Sequence, residues 1–254
     1  MMVANIGRGF DASALDASRV ADHLFVAKFR KSSPSWQLEK RMVKISSQMG
    51  PAAGEIARFL VDAYRNQRGV HSETVIGAAA ALTGEFTLRA AEPKIPERGW
   101  VFSERASRII HGREPQGEIG LWSLIRRSAT NAGADAKSLP DASAVAKRVA
   151  AAVGGSPFPP LSVPDEHYPH EWSPEACPKF RAAVGTIGAK HGISGEDLAV
   201  TLALATGILI TQTARVLPPA IAATLALEIM LGVSHMVPIA EPIESGGAPP
   251  PKLD

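Results

Sequence analysis

Apolar residues recur along this chain at intervals of three and four, the period that lays one stripe along an α-helix. No stretch alternates apolar and polar residues between turn signals, as a half-buried strand does. The pattern predicts an all-α fold, a multi-helix bundle of about eight to ten helices with an apolar C-terminal helical hairpin.

Helices are expected over 11–31, 34–48, 51–68, 72–91, 101–111, 118–130 and 141–153. Proline and glycine punctuate them at Pro34, Gly50-Pro51, Gly69 and Gly154-Gly155. Ser72 is the expected N-cap of 72–91, with Glu73 in the first turn beside the positive end of the dipole. Asp141 is the expected cap of 141–153. Gly77, Ala81 and Gly84 lie near one side of their helix, and small residues there let another helix approach closely.

Residues 154–178 contain Pro157, Pro159, Pro160, Pro164, Pro169, Pro174 and Pro178, a density that no regular helix survives. This connector divides the chain into an N-terminal helical region (1–153), a C-terminal helical hairpin region (179–237) and a Pro/Gly-rich tail (238–254). Whether the two helical regions share one core is left open at this stage.

Beyond the connector, Ser173-Pro174-Glu175 signals a helix start, with an end at His191-Gly192. Ser194-Gly195-Glu196-Asp197 is close to a capping box and opens Leu198 to Ala214, 17 residues without a charge. After Arg215 and Leu217-Pro218-Pro219, a second apolar stretch runs from Ala220 to Gly232, interrupted only by Glu228. A membrane-spanning helix needs about 17–25 apolar residues. The first stretch sits at the bottom of that range and is diluted by Thr201, Thr206, Thr211, Gln212 and Thr213, so a helix pair buried in a protein core is the better reading. Arg215 and Glu228 stand at different distances from the proline turn, and no direct pair between them is expected.

Composition adjusts this picture only slightly. Hydrophobic residues make up 45% of the 254 and aromatics 6%, which suits closely packed, alanine-rich helices. The net charge of +2 is too small to argue for nucleic acid, and membrane association is not favoured. Cys177 is the one cysteine, which points to a reducing cytoplasm; the first ten residues lack the apolar core of a secretion signal. The Ala-, Arg- and Gly-rich composition suggests a bacterial chain.

Chemistry-bearing residues are sparse. Asp165-Glu166-His167-Tyr168-Pro169-His170-Glu171 offers carboxylates and imidazoles, and His167, His170 and Glu171 are the metal candidates. Pro169 removes the helix on which the familiar His-Glu zinc motifs rely. Lys28, Arg30, Lys31, Lys40, Arg41 and Lys44 form a candidate basic surface, for which a solvated helix face is the plainer explanation. Cys177, with no defined base nearby in sequence, reads as an inert thiol. His71, His111 and His191 stand next to expected helix ends, where histidines commonly serve local hydrogen bonding. No nucleophile elbow, dinucleotide fingerprint or phosphate loop is present, and no cofactor is implied. The leading expectation is a cytoplasmic helical protein that binds a protein partner or itself. A hairpin-anchored membrane protein and a helical enzyme or small-molecule binder without a linear motif are the alternatives.

Overall fold

The structure, a computed structural model, describes residues 46–113, 118–152 and 158–240. The helices expected over 11–31 and 34–48 lie outside the described residues, as does the basic set Lys28, Arg30, Lys31, Lys40, Arg41 and Lys44.

The described chain is all-helical, with eight α-helices in a bundle. They are α1 (Met49–Ala63), α2 (Ser72–Ala91), α3 (Glu104–His111), α4 (Leu121–Asn131), α5 (Ala142–Ala151), α6 (Ala176–Lys190), α7 (Gly195–Thr213) and α8 (Pro219–Val233). A two-residue antiparallel pairing, Gly112 with Ile119 and Arg113 with Glu118, closes the turn between α3 and α4. It takes the first residues of the stretch expected as helix 118–130, so α4 begins three residues later.

Helix α2 is the axis of the fold. Helices α7 and α8 both pack along it, and they meet each other far less than they meet α2. Such close enclosure needs small residues at the points where the backbones meet. A Cβ placed on Gly84 would lie 2.4 Å from the Met230 carbonyl oxygen and 3.0 Å from the Ser234 nitrogen, so α8 runs backbone against backbone there. The threonines on these helices turn inward without stranding their hydroxyls. Thr83, Thr87, Thr201, Thr206 and Thr213 each donate to the carbonyl four residues back.

Helices α7 and α8 are buried on most sides, as a core pair must be when it is apolar all round. No single helix among the described residues is long and apolar enough to cross a membrane; Ser173–Lys190 and α7 reach that measure only together, and they meet at 106°. Buried residues from α1–α5 and from α6–α8 belong to one hydrophobic cluster, so the two helical regions share a core.

Three helix ends differ from expectation for local reasons. α1 stops at Ala63 rather than near 68, because the Asn66 side chain accepts the Arg68 N–H and the backbones of Asn66 and Gly69 bond each other in both directions. His71, not Ser72, is the N-cap of α2. Ser194 does cap α7, but its side chain makes no capping bond. Asp141 caps α5 as expected, accepting from the Ala144 N–H at 2.9 Å. Arg215 is exposed and Glu228 is buried and paired elsewhere, so the two do not meet.

Gly84→Ala is expected to destabilise the protein by about 1–3 kcal/mol through overpacking against fixed backbone. Gly185→Ala on α6, where an added Cβ meets nothing within 4 Å, is expected to be neutral or to stabilise by up to about 1 kcal/mol. Urea midpoints check the pair. Equal shifts would refute the claim that α2 has no room for a methyl group.

Candidate functional site

The Pro-rich stretch 158–174 crosses the bundle surface over α2 and α8, and separate sets of side chains tie it down. On α8, the buried Glu228 (4% exposed) accepts the Ser162 N–H at 2.8 Å, and also takes hydrogen bonds from the Ser162 hydroxyl and the Arg148 guanidinium. A carboxylate inside an apolar helix is tolerable because these donors meet it. Two glycines let the stretch sit close. A Cβ on Gly232 would fall 2.8 Å from the Phe158 ring, and one on Gly77 would fall 2.5 Å from the Ser173 hydroxyl.

The second anchorage is at the N-terminus of α2, where imidazoles converge. The His71 and His170 rings stack with centroids 3.5 Å apart. Thr74 links them, accepting the His170 backbone N–H at 2.9 Å while its oxygen lies 2.8 Å from His71 Nδ1. A hydroxyl both donates and accepts, so Thr74 pairs with His71 Nδ1 in either tautomer, and the ring's other nitrogen is Nε2. That nitrogen faces Glu73 at 3.4 Å, and the other Glu73 oxygen meets His167 Nδ1 at 2.9 Å. One carboxylate therefore serves two rings.

Glu171 is held by a third set. It accepts from the Tyr64 hydroxyl and from Lys179 Nζ, the latter at 2.7 Å. Burial and the neighbouring carboxylate both push the Tyr64 phenol upward, so it stays protonated and donates. The metal candidates are thus committed to different contacts: His167 to Glu73, the His170 ring to His71, and Glu171 to Tyr64 and Lys179. Among the described residues no group of three or more histidine, cysteine, aspartate or glutamate side chains is arranged to hold a metal ion.

Between these anchors the stretch folds around an open groove of about 420 Å³, floored by Ile229 of α8. Phe158, Leu161, Tyr168, Pro169 and Trp172 line it, with Glu171 at one side. The Tyr168 hydroxyl donates to the Leu161 carbonyl at 2.9 Å and closes the wall on itself. Tyr168 is 37% exposed and Trp172 38%. The other exposed large apolar side chains among the described residues, Phe102 and Val216, lie elsewhere.

Cys177 lies below the groove and is buried. Burial, then the charge of Glu85 beside it, pushes the thiol well above its ordinary value, which keeps it un-ionised. Glu85 itself would be raised by burial, but hydrogen bonds from Arg181 and Arg89 outweigh that and hold it below the usual carboxylate range. Arg181 also donates to the Ile239 carbonyl at 2.8 Å, which ties the segment after α8 to α6. These bonds lock α2, α6 and the segment after α8 together.

No protein-family model, no curated protein and no solved structure matches the chain.

Two predictions follow from this geometry. Burial lowers the His71 pKa, and the positive fields of His170 and His167 add to that against the pull of Glu73. His111 and His235 are lowered in the same direction, each first by burial. A depressed pKa means that the unfolded chain takes up protons first. The stability these rings contribute is present above their unfolded pKa of about 6.5 and is lost as pH falls through their lower folded values. The urea midpoint should drop between pH 7.5 and 5.5, and His71→Gln should flatten part of that drop. A variant with the wild-type slope would remove His71 from the account. Separately, a thiol reagent should label Cys177 at least a hundredfold more slowly in the native protein than in urea; comparable rates would contradict its burial.

Proposed function

We propose that this chain is a binding protein that takes an extended segment of another protein into the groove along 158–174. The observation that carries this reading is that two partly exposed aromatics, Tyr168 and Trp172, line one concave surface. Large aromatic rings left accessible in a concavity are the usual anchors of protein recognition, because each buries much apolar area for few rotatable bonds. The anchors around them support it further. Glu228, Thr74, Glu73 and Tyr64 hold the wall in place, so little ordering has to accompany binding. The groove is of ligand-site size, yet its openness to solvent suits a chain segment crossing it better than an enclosed small molecule. A bacterial, cytoplasmic setting is part of the same reading and rests on the single reduced cysteine and the composition.

The test is selection of ligands from a displayed random-peptide library on the purified full chain, with a second copy of the chain tested alongside by light scattering. Selected peptides should bind the Trp172→Ala variant at least tenfold more weakly while its circular dichroism and melting temperature stay those of the wild type. Peptides that bind the variant as well as the wild type would place recognition elsewhere and sink the groove.

A further inference from the structure

Three imidazoles, one carboxylate and one hydroxyl fasten the middle of the connector to the first turn of α2. We propose that this contact is an acid-sensitive latch: proton uptake by the stacked rings of His71 and His170 loosens the connector from His167 to His170, while its flanks at Ser162 and Glu171 stay fastened. Tyr168, Pro169 and His170 line the groove, so the latch sets the shape of its wall, whatever the groove binds.

The contact is built for neutral rings. The His71 and His170 planes lie 17° apart with their centroids 3.5 Å apart, so two imidazolium charges would stand face to face. His71 is the N-cap of α2, at the positive end of the helix dipole, where a cation is disfavoured. Burial holds its pKa below the ordinary imidazole value, and the charges of His170 and His167 push the same way against the pull of Glu73.

Glu73 can answer one charge and no more. Its oxygens lie 3.4 Å from His71 Nε2 and 2.9 Å from His167 Nδ1. With all three rings protonated, one carboxylate faces three cations. The other carboxylates of this part of the connector give little relief. Asp165 and Glu166 are exposed, where solvent and salt screen them, and Glu171 is held by Tyr64 and Lys179. Detaching the connector parts the stack and returns His71 to water, where an imidazole has a pKa of about 6.5. The closed contact holds it lower, so the open form takes up protons first. Closure is therefore complete above that value and is lost as pH falls through the lower one. The flanks carry no such dependence. Glu228 fixes the Ser162 N–H at 2.8 Å, and the bonds to Glu171 come from a phenol and an ammonium group.

The test is hydrogen exchange of single amides, followed by NMR on the full chain at pH 7.5 and 5.0. Each rate is divided by the unfolded-chain rate at the same pH. The His170 amide, which bonds Thr74 Oγ1 at 2.9 Å, should lose about fivefold or more of its protection in acid. The amides of Ser162 and of Leu82, in the buried middle of α2, should change less than twofold. His71→Gln and His170→Gln each remove one ring of the stack, and in both the amide at position 170 should respond less than twofold. Glu73→Gln removes the shared carboxylate and should move the loss to higher pH.

A His170 amide equally protected at both pH values would overturn the latch. One better protected in acid would also overturn it, by showing that Glu73 draws the charged rings in. Equal losses at Ser162 and Leu82 would mean that the whole bundle opens, and an unchanged response in both histidine variants would remove the stack as the sensor; either result sinks the proposal.

Discussion

Helix α2 has no free face, and that constraint organises everything else. A helix enclosed by α7 and α8 cannot carry large side chains where their backbones approach, so Gly84 and its alanine neighbours follow from geometry. Enclosure also leaves the ends of α2, its N-terminal turn and Arg89 in its last turn, to reach outward with polar groups. His71, Glu73 and Thr74 stand at the N-terminal end, and they catch the connector as it passes. The surface groove is thus a by-product of how the central helix is buried.

The connector wall shows how a segment with no more than two short 3-10 turns, Asp165–His167 and Ser173–Glu175, can still be held. Its backbone and side chains lean on buried or half-buried groups from α1, α2 and α8. Each anchor satisfies a polar group that would otherwise be costly to bury, most plainly Glu228 inside an apolar helix. Glu228 looks in sequence like a blemish in α8, and in the fold it is the peg that fastens Ser162.

Much of the architecture was legible before the fold was seen. Spacing of apolar residues located α2 to the residue and α5 to α8 to within a few, because a helical stripe is a local property that packing reinforces. The small-residue face at Gly77 and Gly84 foretold close approach for the same reason. The ends were less legible, since Asn66 and the pairing at Gly112 and Ile119 draw residues out of helices by bonds that periodicity does not register. The site was the least legible part. His167 meets Glu73 across 94 positions, a distance in sequence that only the tertiary path closes. Glu73 was readable as a partner of the helix dipole, but not as the carboxylate shared by two imidazoles. One signal was available and passed over. The chain has only two tyrosines, and both end at the groove, Tyr168 in its lining and Tyr64 on Glu171. In an aromatic-poor chain, rings gathered in a proline-rich stretch are better read as surface than as filler.

The way the wall is fastened has an evolutionary consequence. Of the side chains that face the channel, Phe158 packs over Gly232 and Tyr168 bonds Leu161, whereas Trp172 lies apart from the anchors Ser162, His167 and the His170 backbone. Trp172 can therefore be exchanged while the pegs stay in place and the core around α2 is untouched. A scaffold of this kind lets the surface of the channel change faster than the fold that carries it.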